Sequence, residues 1–180
     1  QKESIKWLRS FEKVTEVQRL CPNTKLVSIG DRESDIYELF VEARDTHDAP
    51  GLLVRAEKSR NRMLKDELMW NHVAKKSVSG SMKIHVPRSG SRKARDTWVD
   101  IRHAQITLKP PNQLKSRGPV TVWAVYVLEQ EHSNPIEWML ITTEEVSDFQ
   151  SAQKCVEWYS ARWGIEVYHR TLKSGCRLKD

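Results

Sequence analysis

The stretch from Lys25 to Arg55 constrains the fold most. Lys25-Leu26-Val27-Ser28-Ile29-Gly30 is a short, nearly continuous apolar run that predicts a buried strand, with Asp31 at its carboxyl end. Ser34 can cap the helix that follows, whose Ile36, Leu39, Phe40 and Ala43 share one face. Asp48-Ala49-Pro50-Gly51 stops that helix, and Leu52-Leu53-Val54-Arg55 gives a second buried strand. Strand, helix and strand in about thirty residues form a βαβ unit, the usual sign of an α/β sheet.

Around this unit the pattern changes twice. Before it, Ile5, Leu8, Phe11 and Val14 recur at helical spacing, so Glu3–Leu20 is expected to be a helix. The chain opens at Gln1 inside that pattern and reads as a piece of a longer protein. After the unit come a basic stretch, Lys58-Ser59-Arg60-Asn61-Arg62, and a short helix through Trp70 and Val73. Met82–Val86, Thr97–Leu108 and Val120–Leu128 then alternate with the period of half-buried strands, while Ile136–Thr142 is shorter and more continuous. The expected division is a core over 1–75, an antiparallel β subdomain over 76–145, and a closing helix over 146–180.

Composition narrows the function classes. With 180 residues, 38% hydrophobic and 30% charged, the chain can bury one good core and a small appendage. A net charge of +6 suits a polyanionic partner, although nucleic acid, membrane surface and plain solubility share that signature. No apolar run approaches the roughly 20 residues of a membrane span, and no signal-peptide pattern opens the chain, so a cytoplasmic setting is expected. Cys21, Cys155 and Cys176 are odd in number and widely spaced, and read as structural thiols. Nucleotide-binding loops and zinc-protease motifs are missing from the sequence.

The closing helix holds the most specific signal. Tyr159, Arg162, Glu166 and Lys173 stand at successive offsets of three, four and seven, which places them within roughly 60° of helical arc. One carboxylate is thereby flanked by cations and a phenol. Trp158, Ile165 and Leu172 repeat every seven residues on a neighbouring face, which is expected to press the helix onto a core. If the fold brings Glu166 to Asp31, two hard carboxylates can share Mg²⁺ or Mn²⁺, the ions that activate an attacking oxygen and stabilise a leaving one in phosphoryl transfer. Two such ions sit about 4 Å apart, so carboxylates within about 8 Å of one another suit a common cluster.

This run resembles the Y-x2-R-x3-E-x6-K signature of bacterial insertion-sequence transposases of the insertion sequence four group, within the larger DDE superfamily, with all four positions matching. Ser28-Ile29-Gly30-Asp31-Arg32-Glu33-Ser34-Asp35-Ile36 looks like the D-R-E-x-D-I block around the second catalytic aspartate of the same group. The resemblance implies an RNase H-like core with an inserted β-rich segment, double-stranded DNA as partner, and a parent protein that dimerises on DNA. It implies Asp31 and Glu166 as catalytic metal ligands for Mg²⁺ or Mn²⁺. Arg162, Lys173 and Tyr159 become phosphate contacts, and Arg55 a contact to the transposon end, against the alternative of a strand-end surface charge. Trp138, 28 positions before Glu166, matches a base-stacking tryptophan, with an ordinary buried strand tryptophan as the competing account. Lys58, Arg60 and Arg62 add sequence-independent phosphate affinity or form a solvated loop. Arg32 either touches DNA or braces Asp31. Trp163, adjoining Arg162, is expected to pack, with an approach to the DNA as the alternative.

The group's first aspartate lies on an earlier strand, and the 30 residues before Asp31 read as a helix without a counterpart for it. The chain by itself is therefore expected to be unable to cleave DNA at a useful rate. Two rival readings are a noncatalytic DNA-binding module and an unrelated metal-dependent nuclease on the same fold.

Overall fold

The computed structural model describes residues 2–88 and 93–175. Helix α1 (Lys2–Leu20) leads to strand β1 (Val27–Gly30), a single 3₁₀ turn at Arg32–Ser34, helix α2 (Tyr37–Asp45) and strand β2 (Gly51–Arg55). A short helix α3 (Met69–Ala74) precedes β3 (Gly80–Val86), β4 (Arg95–Leu108), β5 (Val120–Glu129) and β6 (Glu137–Thr142), and helix α4 (Phe149–Gly175) closes the chain. The pattern-based elements are all present, and the strands start or end within two residues of their expected limits. The helix cap differs. Ile36 occupies the cap position of α2 without a side-chain bond, while Ser34 lies in the 3₁₀ turn.

All six strands belong to one mixed sheet in the order β1-β2-β6-β5-β4-β3. β1 and β2 are parallel, as the βαβ unit requires, and every other pairing is antiparallel. The antiparallel strands therefore do not form a sheet of their own, as the expected inserted subdomain suggested. β6, the last of the six in chain order, pairs on one side with β2 (Leu53 opposite Thr142) and on the other with β5 (Val125 opposite Leu140). The reason lies in burial. Leu52, Leu53 and Val54 are each at most 1% exposed, so β2 is covered on both faces and needs a hydrogen-bonding neighbour on both edges. β6 meets that need because Met139, Leu140 and Ile141 are equally apolar on both faces.

Three layers result. On one face Leu52, Val54, Tyr126, Met139 and Ile141 meet Phe11, Phe40, Met69 and Val73 from α1, α2 and α3. On the other, Leu53, Val99, Val125, Trp138 and Leu140 meet Ala152, Cys155, Val156 and Tyr159 from α4. Asp148 starts α4 by accepting the backbone N–H of Ser151 at 2.8 Å. Burial pushes the Cys155 thiol up to about 11, in keeping with a structural role, whereas Cys21 is exposed and Cys176 lies outside the described residues. Ile165 departs from expectation. It is 58% exposed, because the helix packs on the sheet through its first half, and Tyr168 beyond it is also exposed. Among the described residues, no helix is long and apolar enough to cross a membrane.

Candidate functional site

Strand β1 ends in a tight turn that fixes Asp31. The Asp31 carbonyl accepts both the Ser34 hydroxyl at 2.6 Å and the Ser34 backbone N–H at 3.1 Å, and its Oδ1 accepts the Glu33 N–H at 3.0 Å. A side chain at position 30 would destroy this arrangement, since a Cβ on Gly30 would lie 2.0 Å from Ser34 Oγ. Asp31 is thus both a turn cap and a partly exposed carboxylate at the end of a strand, aimed by its own turn.

From the opposite end of the chain, α4 sends Arg162 to that carboxylate. Arg162 Nη2 donates to Asp31 Oδ2 at 2.8 Å across 131 positions of sequence. One turn earlier on the helix, Tyr159 is 3% exposed and packs edge-on against Trp138, with centroids 5.2 Å apart. The Arg55 guanidinium carbon lies 6.0 Å from the centre of the Trp138 ring. Asp31, Arg162, Tyr159, Trp138 and Arg55 therefore gather where β1 and β2 end and β6 begins, on the face covered by α4.

No protein-family model matches this chain.

The remaining cations go elsewhere. Arg62 pairs with Asp35 Oδ1 and donates through Nη2 to the Asp35 carbonyl at 3.0 Å, while Arg60 donates to the same carbonyl at 2.9 Å. Asp35 Oδ2 accepts the Glu57 N–H at 2.8 Å. Burial holds the Asp35 carboxyl above the usual carboxylate range, with the Arg62 charge and the Glu57 N–H pulling against it. These bonds staple the loop after β1 to the loop after β2. Lys58 pairs with Glu137 and lies 5.2 Å from the centre of the Trp70 ring. Trp70 and Phe40, the rings under Lys58 and Arg62, belong to the core on the α1–α3 side. The expected DNA contacts are thus divided between the two faces of the sheet. Arg60, Arg62 and Lys109 line a polar cleft of about 750 Å³ together with Asp35 and Tyr37.

Arg32 is 59% exposed, and its described ionic neighbour is Glu57 at 3.8 Å rather than Asp31. Trp138 is 2% exposed, so its ring is closed to a nucleobase in this structure. The side chains of Trp163, Glu166 and Lys173 lie outside the described residues, and with them the Asp31–Glu166 separation. Sequence reasoning missed Asp35, Glu57 and Glu137, the carboxylates that engage the basic loop. Asp35 stood within the D-R-E-S-D run, and its position directly before Ile36 was the available hint.

A divalent ion needs several hard donors. Among the described residues no group of three His, Cys, Asp or Glu side chains can hold a metal, and Asp31 is a single carboxylate already engaged by a guanidinium. The described donor set alone does not fit the ion. What these groups present is two guanidiniums, Arg162 on Asp31 and Arg55 beside Trp138, near the ends of β1 and β2.

Proposed function

We propose that this chain is part of the catalytic domain of a DNA transposase similar to the insertion sequence four group, with an RNase H-like core and double-stranded DNA as its partner. The observation that carries the reading is the Arg162–Asp31 contact. Two motifs from opposite ends of the sequence, each resembling the same enzyme group, meet at 2.8 Å. The parallel β1–β2 pair, with Asp31 at its carboxyl end and α4 across it, supports the core assignment. In this reading Arg162, Lys173 and Arg55 neutralise backbone phosphates near the scissile bond, and the Tyr159 hydroxyl donates to one. Such contacts orient the phosphodiester and stabilise the negative charge that builds on it. Mg²⁺ or Mn²⁺ is the cofactor the reading calls for, with Glu166 joining Asp31, and the parent protein dimerises on DNA.

The test is duplex binding with and without Mn²⁺. The catalytic reading expects Mn²⁺ to strengthen binding several-fold in the wild type, and expects Glu166→Gln or Asp31→Asn to abolish that gain. Binding indifferent to Mn²⁺ in all three proteins means the second reading, a noncatalytic DNA-binding module. That alternative has one observation in its favour, since Asp31 is held by an arginine. Either way, the purified chain alone is expected not to nick DNA at a useful rate; metal-dependent nicking lost in Asp31→Ala would overturn this expectation.

A further inference from the structure

The contact between Arg162 and Asp31 has the properties of a latch. The carboxylate cannot follow the guanidinium if it leaves, because its other oxygen is tied to the Glu33 N–H at 3.0 Å and the turn is closed by Ser34. The guanidinium is partly open to solvent. Its side chain is 23% exposed, that of Asp31 is 31% exposed, and the pair sits where α4 passes from packed to exposed. Two residues further on, Gly164 lies in the helix interior, where glycine costs about 1 kcal/mol relative to alanine. No described atom comes within 4 Å of a Cβ built there, so packing does not demand a glycine. The residue lowers the intrinsic helix propensity next to the ion pair.

We propose that Asp31 and a DNA phosphate compete for the one Arg162 guanidinium, so that the resting chain keeps Asp31 capped and DNA binding uncaps it. The proposal rests on the DNA reading above and adds a coupling to it. Without nucleic acid, Arg162 stands in for a cation at Asp31. When a phosphodiester draws the guanidinium away, the oriented carboxylate is left exposed to other cations only in the DNA-bound state. By linkage, a change at Asp31 that weakens the cap strengthens DNA binding, by at most the factor the cap contributed.

The experiment is a duplex titration by fluorescence anisotropy in EDTA, so that metal plays no part. Asp31→Asn is expected to tighten binding about three- to five-fold, the strength of a part-exposed ion pair. Glu33→Gln, the same charge change two residues away, is expected to give less than half of that gain. In an Arg162→Gln background Asp31→Asn is expected to give no gain beyond the Glu33→Gln level. Gly164→Ala, which stiffens α4 without removing a contact, is expected to weaken binding modestly. Equal gains from Asp31→Asn with and without Arg162 would mean a general charge effect and overturn the latch while leaving the DNA reading intact. A wild-type chain that fails to bind duplex DNA removes both.

Discussion

Arg62 delivers its guanidinium to Asp35, a carboxylate with no exposed surface, 27 residues earlier in the chain. The pair sits between the loops that follow β1 and β2, and Glu57 adds a backbone N–H to the same carboxylate. Removing either partner leaves the other buried without its opposite charge, which is where the interaction shows its size.

Arg62→Ala is expected to destabilise the fold by about 3–5 kcal/mol at neutral pH, read from the urea midpoint. Burial already raises the Asp35 carboxyl, and losing Arg62 raises it further. An acid with a raised folded pKa contributes stability that is present below its unfolded value of 3.8 and lost as pH rises through the folded value. The penalty of Arg62→Ala relative to wild type is therefore expected to shrink as the pH is lowered toward 4. A penalty that grows instead would mean the Asp35 charge is not what Arg62 serves.

Glu129 should dominate acid sensitivity in the β-rich half. Bidentate hydrogen bonding from Arg95 holds its carboxyl down at about 2, helped by the Ile136 N–H, from an ordinary 4.5. A depressed acid contributes stability that is whole above its unfolded value and lost as pH falls through the folded one. The window is thus between about 4.5 and about 2. Wild type is expected to lose up to about 3 kcal/mol across it from this group, and Glu129→Gln to show a flatter profile from a lower start. Urea titrations at pH 5, 3.5 and 2.5 would show whether the two curves converge.

Tyr159 carries two separable contributions. Its ring fills the space against Trp138, so Tyr159→Ala is expected to cost about 3 kcal/mol. Tyr159→Phe keeps the ring and should stay within about 1 kcal/mol of wild type while weakening duplex binding several-fold if the hydroxyl meets a phosphate. Unchanged affinity in the phenylalanine variant would confine Tyr159 to packing.

Gly30→Ala is expected to cost about 2 kcal/mol, because the new methyl meets Ser34 Oγ and Cβ. Adding Ser34→Gly should recover part of that loss. Recovery of the fold without recovery of the Asp31→Asn effect on DNA binding would show that the turn's bonds, and not only its shape, aim the carboxylate.

Arg55→Ala is expected to lower the dependence of log affinity on log salt by about one unit, the share of one phosphate contact. An unaltered slope would leave Arg55 as the partner of the Trp138 ring alone.

Much of this was legible in the chain because local patterns carry it. Alternation located β3, β4 and β5, and the continuous runs at Leu52–Val54 and Met139–Ile141 marked the two strands covered on both faces. What those runs could not reveal was that they lie side by side, since pairing order depends on contacts nearly ninety residues apart, such as Leu53 with Thr142. Helical spacing put Tyr159 and Arg162 on one stripe, and the structure brings Arg162 to Asp31. The same arithmetic misjudged Ile165, because spacing defines a face without saying how far the sheet beneath it extends. Asp35 and Arg62 were opaque for a different reason. In D-R-E-S-D the resemblance points to Asp31, and nothing local says that Asp35 is the carboxylate a distant arginine meets.

The placement of β6 sets the order in which this protein can be completed. On a ribosome, β1 and β2 emerge before β6, and β2 keeps one edge bare until residues 137–142 arrive. A nascent chain or a truncation ending before β6 would display an apolar strand with free backbone donors and acceptors, the form most prone to pair with a stranger. Closure of the sheet is consequently a long-range event, and the exposure of that edge until then is the cost of burying the strand beside Asp31 so deeply.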